Sequence, residues 1–230
     1  MSNLKAVILL SGGLDSIVSL AAALKGESGS VKCDVKLALT FDYGQRAVED
    51  EIKAAAEICK VYGIEHRVIK IPFLEEISNS ALNKKDEKLE FNELGTDSMK
   101  AVWVPNRNGL FLNIAACFCD SIGYDAVIIG ANKEEAATFS DNSAEFCMAQ
   151  ENAFKYSTLN GVRVIAPLID LEKYEIINLA VQLGVDLSLL KSCYNASNSG
   201  KVHCGVCESC KRLRAAILKS NHGGLIKLFF

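Results

Sequence analysis

The sequence of 230 residues contains no long run of apolar residues. The run nearest its start, Ala6 to Leu10, is far shorter than a signal-peptide core or the ~20 residues of a membrane span, and it leads into a glycine-containing loop. We therefore expect a cytoplasmic protein without a membrane segment. An excess of positive charge is also missing, since 25 basic and 28 acidic side chains leave a net charge of −3. This balance argues against an extensive nucleic-acid surface and favours a small-molecule substrate.

Repeats, low-complexity tracts and an export signal are missing as well, although nine cysteines are present. An odd number of cysteines without an export signal argues for thiols and metal ligation rather than a disulfide framework. Half of the residues are hydrophobic, so a chain of this length can bury a substantial core. We expect one α/β domain over residues 1–190 and a zinc-binding segment with a helix over residues 191–230.

A loop of sequence Ser-Gly-Gly-Leu-Asp-Ser connects the first apolar strand to an amphipathic helix that starts near Leu14. Its glycines allow successive N–H groups to face an anion, and the helix directs its positive end to the same place. The loop lacks the lysine of a Walker A motif and resembles the loop of the PP-loop ATP pyrophosphatases. The plainer interpretation is a strand-to-helix turn capped by serines. We predict that ATP is bound by Leu10, Ser11, Gly12, Gly13, Leu14, Asp15 and Ser16, of which Ser11, Asp15 and Ser16 also act in catalysis.

Strand-like and helix-like stretches alternate along the chain, which predicts a parallel sheet flanked by helices. The predicted strands after the first are Val35–Phe41, His66–Ile71, Asp125–Gly130 and Val162–Ala166. The predicted helices after the first are Ala47–Tyr62, Gly109–Ser121 with Asn108 as its cap, Glu145–Tyr156 and Tyr174–Leu183. The polar stretch from Glu75 to Lys100 is either an inserted mobile segment near the site or a solvated excursion without a role.

Four cysteines close the chain with the spacing C-x10-C-x2-C-x2-C: Cys193, Cys204, Cys207 and Cys210. Four thiolates at such spacings favour a closed tetrahedral Zn²⁺ site of structural type, since a catalytic zinc keeps one position open for water. Another metal, a redox function, or His203 in place of one sulfur are the alternatives. The basic helix that follows contains Lys211, Arg212 and Arg214 and is either a solvated face or a contact for phosphate.

Taken together, four blocks in this order resemble the 7-cyano-7-deazaguanine synthase family of PP-loop enzymes. They are the glycine loop, Asp42-Tyr43-Gly44-Gln45-Arg46, Val104-Pro105-Asn106-Arg107-Asn108 with Phe111-Leu112, and the four cysteines. The resemblance implies an adenine nucleotide α-hydrolase-like fold and an ATP-dependent conversion of 7-carboxy-7-deazaguanine and ammonia to the nitrile through the amide, with Mg²⁺ and Zn²⁺. Where many members carry Asp-Tyr-Ser-Gly-Tyr-Pro-Asp-Cys-Arg, this chain has GANKEEAATFSDNSAEF from Gly130 to Phe146.

Several polar residues outside the loop are candidates for the site. Asp42 ends a strand at the carboxyl edge of the sheet, where we expect it to bind the nucleotide, its metal or the substrate, or else to cap a turn. Arg107, which lies between two asparagines, is the candidate for gripping a phosphate or the substrate carboxylate during catalysis, against a surface ion pair. A guanine-like ring offers adjacent N–H and amino donors to a carboxylate, so we expect Glu134, Glu135 or Asp141 to bind it.

Other classes of function stay open at this point. A related PP-loop enzyme could adenylate a different carboxylate or, as a thiolase or lysidine-type ligase, a tRNA base. Neither a basic tRNA surface nor a mid-chain persulfide cysteine is evident. A zinc-knuckle nucleic-acid binder would explain the cysteines but not the glycine loop. The sequence leaves the oligomeric state open, with a homodimer as one candidate.

Overall fold

Parallel strands form the centre of the molecule, as the alternating pattern predicts. The computed structural model describes residues 3–29, 31–84, 101–195 and 203–230. Within these residues the sheet has the order β3-β2-β1-β4-β5, and each neighbouring pair is parallel. The strands are β1 (Leu4–Leu9), β2 (Cys33–Asp42), β3 (Glu65–Lys70), β4 (Ala126–Ile128) and β5 (Arg163–Ile165).

Helices cover both faces of the sheet. They are α1 (Leu14–Lys25), α2 (Val48–Tyr62), α3 (Phe73–Ile77), α4 (Arg107–Ile122), α5 (Lys133–Ala136), α6 (Ala144–Ser157), α7 (Lys173–Gln182), α8 (Glu208–Lys219) and α9 (Ile226–Phe229). Short 3₁₀ turns span Ser140–Asn142, Leu187–Leu189 and Gly223–Leu225. No helix in the described part of the chain combines the length and hydrophobicity that a bilayer span requires.

Side chains of β1 alternate between two buried cores. Ala6 and Ile8 pack with residues of α1, α2, α7 and α8, whereas Val7 packs with residues of α4 and α6. This alternation follows from the two-residue period of a strand, and it explains why β1 is apolar on both faces. Leu213 and Ile217 of α8 belong to the first core, so the C-terminal helix shares its packing with the α/β unit. The division into residues 1–190 and 191–230 stays a prediction.

One local expectation needs correction, and another is left untested. Helix α4 begins at Arg107 with Asn106 at its N-cap in a left-handed conformation (φ 50°), so the prediction that Asn108 caps it is wrong. The Asn108 side chain instead donates to the Asp141 carbonyl at 3.2 Å. In the polar stretch, α3 includes Glu75 to Ile77, while residues 85–100, on which the mobile-segment prediction mainly rests, lie outside the described residues.

The strand order has a topological switch point between β1 and β4, where the direction of the connections reverses. The chain runs from β1 to β2 and β3 on one side and then continues with β4 on the other side. Ligands of open α/β sheets bind at such a point, outside the carboxyl ends of the strands. The loop after β1 and Gly130, which follows β4, meet there: a Cβ on Gly130 would lie 3.1 Å from the Asp15 carbonyl carbon.

Candidate active site

The loop after β1 has a backbone that glycine alone suits at its turn. Gly12 has φ +79°, and a Cβ there would lie 2.6 Å from the Ala54 Cβ of α2. The Gly12 carbonyl accepts a hydrogen bond of 2.9 Å from the Lys191 N–H, which ties the loop to the segment before the cysteines. A residue with a side chain is therefore disfavoured at position 12 for two reasons, the positive φ and the close approach of α2.

Serines line this loop without capping the helix. No side chain caps α1, whose N-cap is Gly13. The Ser16 hydroxyl donates to the Gly13 carbonyl at 3.0 Å, and the Ser11 hydroxyl accepts from the Gly13 N–H at 3.3 Å while Ser11 itself is exposed. The first N–H groups of α1 are thus available to an anion, as the phosphate-binding interpretation requires and the capping interpretation does not.

The largest of three adjoining cavities, of about 240 Å³, opens beside the loop. Its apolar wall comes from β2 and α4, where the Phe41 and Phe111 rings stack with their centroids 4.0 Å apart. Five predicted ATP-binding residues line this cavity: Leu10, Ser11, Gly13, Asp15 and Ser16. Leu14 lines the second cavity. Gly12 shapes the turn behind them. A polar loop facing an apolar slot is the arrangement that a nucleotide requires, with phosphate at one end and base at the other.

Beside the loop, a buried lysine joins two carboxylates from different elements. Lys173, the first residue of α7, contacts Asp15 and lies 2.7 Å from the Glu135 carboxylate through its Nζ. The Glu172–Glu175 capping box at the start of α7 and the Asn132 cap of α5 position these side chains. Sequence analysis missed Lys173, because it is 158 residues from Asp15 and belongs to no local motif.

Burial and neighbouring charges shift the pKa values of Asp15 and Glu135 in opposite directions. Burial raises the pKa of Asp15 to about 6 despite the attraction of Lys173. Burial acts in the same direction on Glu135, but there Lys173 and Arg212 outweigh it and lower the pKa. Burial works against the charge of Lys173, yet the two carboxylates hold its pKa above the ordinary value. Lys173 therefore stays cationic next to the phosphate loop, with Glu135 as its ionised partner.

Arg107 extends from the start of α4 into the first and third cavities. Its guanidinium donates to the Asn108 side chain and to the Tyr43 hydroxyl, both at 3.3 Å, and lies 5.7 Å from the centre of the Tyr43 ring. None of the ion pairs between described residues involves Arg107. These hydrogen bonds are to neutral groups, and Asp141 acts on its charge without forming an ion pair, so the guanidinium can still bind an anionic ligand.

The other predicted acidic residues occupy different environments. Asp42 accepts from the Gly44 N–H at 3.3 Å and lines none of the three cavities, which fits a turn; its nucleotide or metal role stays a prediction. Glu134 accepts from the Lys173 backbone N–H at 3.2 Å and approaches Arg212 at 3.8 Å. Asp141 lines the third cavity, where burial raises its pKa.

Tyr194 lies at the junction of the site and lines all three cavities. The second cavity contains the loop, Lys173 and Lys191, and the third contains Trp103, Phe139 and Arg107. The cavity beside the glycine loop thus adjoins a cavity with aromatic walls. Tyr194 follows Cys193 in the chain, so this lining residue is joined directly to the cysteine cluster.

The four C-terminal cysteines converge on one point. Their Sγ atoms all lie within 4.8 Å of one another. The Cys193–Cys207 pair is 4.0 Å apart and the Cys204–Cys210 pair 3.8 Å, far beyond a disulfide bond. Metal–sulfur bonds of about 2.3 Å in a tetrahedron separate sulfurs by roughly 3.8 Å, so this donor set fits one tetrahedral metal ion. Gly205, at φ +77°, makes the bend between Cys204 and Cys207.

These features define the class of the protein: a PP-loop α/β protein with a Ser-Gly-Gly-Leu-Asp-Ser loop at the switch point of a parallel sheet. The fold is similar to that of the U34-tRNA thiolase NcsA from Methanococcus maripaludis, solved with its 4Fe-4S cluster. The TM-score is 0.50 at 20% identity, covering 80% of this chain and 58% of that one. This likeness concerns the fold alone.

The family follows from the sequence comparison. Residues 5–221 match the family described as queuosine biosynthesis protein QueC, and the chain belongs to that family. It is 43% identical to the 7-cyano-7-deazaguanine synthase of Methanosarcina mazei over 94% of both chains. It is 48% identical to the enzyme of the same name from Carboxydothermus hydrogenoformans, over 92% of this chain and 97% of that one. The predicted family resemblance is confirmed.

Proposed function

We propose that this protein is a 7-cyano-7-deazaguanine synthase, which converts 7-carboxy-7-deazaguanine and ammonia to the nitrile with ATP. The observation that carries the proposal is that Tyr194 lines all three cavities. The glycine loop, which is suited to phosphate, is thereby joined to a cavity that is suited to a heterocycle with a carboxylate. Sequence identities of 43% and 48% to synthases of this name, over nearly the full length, support this function over that of a tRNA thiolase, a lysidine-type ligase or a zinc-knuckle binder.

Adenylation is the first chemical step of this proposal. A carboxylate does not lose oxide to ammonia, so one of its oxygens first attacks the α-phosphorus of ATP, and pyrophosphate leaves with its electron pair. Ser11, Ser16 and the N–H groups at the start of α1 stabilise the pyrophosphate as its charge grows. Lys173 adds a buried positive charge at the edge of the loop. Arg107 orients the carboxylate, since hydrogen bonds to Asn108 and Tyr43 hold its guanidinium in place without an ion pair among the described residues.

Ammonia then attacks the acyl carbon and AMP departs, which leaves the amide and releases a proton. The amide oxygen attacks a second ATP, and loss of AMP with two protons from nitrogen forms the nitrile. Both halves require the same loop, because each begins with attack by an oxygen on an α-phosphorus. One set of residues therefore serves both steps.

Two metal ions belong to the proposal. Asp15 Oδ1 is buried and has no hydrogen-bond partner among the described residues, so it is fitted to help hold Mg²⁺ on the ATP phosphates, where the ion would neutralise charge. Cys193, Cys204, Cys207 and Cys210 would hold one Zn²⁺ of structural type, which fixes Tyr194 and the start of α8.

The three acidic residues that were predicted to bind the substrate have different roles in this proposal. Glu135, as the partner of Lys173, is suited to positioning that lysine, and Glu134 holds the start of α7. Asp141 faces the aromatic cavity and remains a candidate for contact with the heterocycle. A cytoplasmic location and a homodimer, both expected from the sequence, are consistent with this function and stay predictions.

Incubation of the protein with carboxydeazaguanine, ammonium, ATP and Mg²⁺ tests the proposal. Mass spectrometry should show the amide appearing first and the nitrile accumulating. The Arg107→Gln variant, which keeps a hydrogen-bonding side chain without the charge, should raise the KM for the acid substrate more than that for ATP. Absence of both amide and nitrile with the wild-type protein would refute the assignment.

A further inference from the structure

The third cavity has aromatic and charged walls. Trp103 and Phe139 stack with ring centroids 6.2 Å apart and planes 12° from parallel, and Trp103 is 37% exposed. Glu208 and Arg212 of α8 line the same cavity. At about 60 Å³ it is too small to enclose a bicyclic base, but it can take the edge of one while an aromatic ring covers a face.

Glu208 presents an acceptor that the described protein leaves unused. The residue is only 2% exposed. Its Oε1 accepts from Arg212 Nε at 3.1 Å and from Arg212 Nη2 at 2.8 Å, whereas Oε2 has no hydrogen-bond partner among the described residues. A buried carboxylate oxygen without a donor is costly, so a donor from a ligand would stabilise it. Arg212 meanwhile fixes the plane of the carboxylate.

The acidic residues predicted from the sequence are less suited to this task. Glu135 is engaged by Lys173, and the Glu134 side chain is 37% exposed and bonds the backbone of α7. Asp141 Oδ1 accepts from the Asn142 side chain at 3.2 Å, and the residue is partly exposed to water. Among these four, Glu208 alone combines deep burial, a fixed orientation and an unpartnered oxygen.

Resting on the proposed function, we infer that Glu208 is the specificity-determining residue for the base of the substrate. Both lone pairs of Oε1 are taken by Arg212, so Oε2, with its two lone pairs, accepts from the ring N–H and from the neighbouring exocyclic amino group of the guanine-like edge. Trp103 covers one face of the ring. Because Glu208 follows the ligand Cys207, the metal cluster sets the position of the base-binding carboxylate.

The test compares 7-carboxy-7-deazaguanine with its analogue that lacks the exocyclic amino group. The wild type should prefer the natural substrate in kcat/KM by about 10- to 100-fold, the effect of a hydrogen bond to a charged group. Glu208→Gln should raise the KM for the natural substrate by a similar factor and reduce the preference to about threefold or less, with the KM for ATP unchanged. Glu145→Gln, an exposed acid in the first turn of α6, is the matched control and should behave as wild type.

A purely structural role of Glu208 predicts a different result. Loss of the Arg212 ion pair would lower the melting temperature but would leave the preference for the amino group intact. Glu208→Gln protein with full metal content and wild-type preference would overturn the inference. So would a wild type that uses both substrates equally, a result that needs no variant. If the wild type forms no amide or nitrile, the proposed function fails with it, and this outcome is distinct from unchanged selectivity in an active enzyme.

Discussion

Replacing Lys173 with methionine tests the buried ion cluster next to the phosphate loop. The side chain of Lys173 is 10% exposed, and those of Asp15 and Glu135 are 21% and 28% exposed, so solvent screens the cluster little. Methionine keeps most of the volume but leaves two carboxylates without their cation. Removing one partner of a buried pair costs about 3–5 kcal/mol. We expect a loss near the lower end, about 3 kcal/mol at about pH 8, because both carboxylates keep some contact with water.

The stability deficit of the Lys173→Met variant should depend on pH in one direction. In the wild type, ionised Glu135 has a lowered pKa, so its stabilisation is complete above the usual carboxyl range and is lost as the pH falls. Without Lys173, burial raises the pKa of both Asp15 and Glu135. Glu135 adds to the rise at Asp15, while Arg212 opposes the rise at Glu135 only in part. The folded variant then binds protons more tightly than the unfolded chain, and its deficit relative to wild type shrinks as the pH falls from about 8 to about 5.

Urea unfolding followed by circular dichroism at several pH values measures both quantities. Lys133→Met, at an exposed position that begins α5, is the control and should change the free energy of unfolding by less than about 0.5 kcal/mol. Adding Glu135→Gln to Lys173→Met should recover stability, since it removes one unpaired charge. A deficit below about 1 kcal/mol at about pH 8, or one that grows in acid, would refute the ion-cluster reasoning.

Three further predictions concern the loop and the cysteines. Ser11→Ala should lower kcat about 100- to 1000-fold in single-turnover assays while the melting curve stays unchanged; near-normal turnover would exclude the loop as the phosphate site. Gly12→Ala should lower the melting temperature and weaken ATP binding measured by calorimetry, because of its φ of +79° and the close approach of α2; Gly29→Ala has a similar φ of +70° but open space around it and should leave ATP affinity intact. Cys207→Ser should reduce metal content from one ion per chain to near zero and destabilise the protein, as elemental analysis and calorimetry would show; a folded, active protein without metal would contradict the structural role.

Local sequence patterns were enough to predict the parallel sheet, the glycine loop and the cysteine cluster. The loop and the cysteines are short motifs whose function depends on spacing along the chain, and strand β1 is apolar on both faces because it is central. The N-terminus of α4 was predicted wrongly because Asn106 adopts a left-handed conformation, which the sequence alone does not indicate. The prediction placed the cap two residues too late.

The parts of the candidate site that the sequence did not predict depend on contacts between distant segments. Lys173 meets Asp15 only because α7 packs on α1, and no spacing rule connects residues so far apart. Glu208 lies between Cys207 and Cys210, and an acidic residue at the start of a helix ordinarily indicates only a favourable interaction with the helix dipole. That one of its oxygens has no hydrogen-bond partner among the described residues follows only from the placement of α8 beside the aromatic cavity.

The central claim is that the substrate carboxylate, and then the amide, is adenylated at the glycine loop on the way to the nitrile. Substrate with ¹⁸O at both carboxylate oxygens tests this claim most directly. The account predicts two AMP molecules for each nitrile, each with one heavy oxygen, one from the acid step and one from the amide step. No label should enter pyrophosphate. Unlabelled AMP, label in ADP or inorganic phosphate, or no nitrile at all would contradict it.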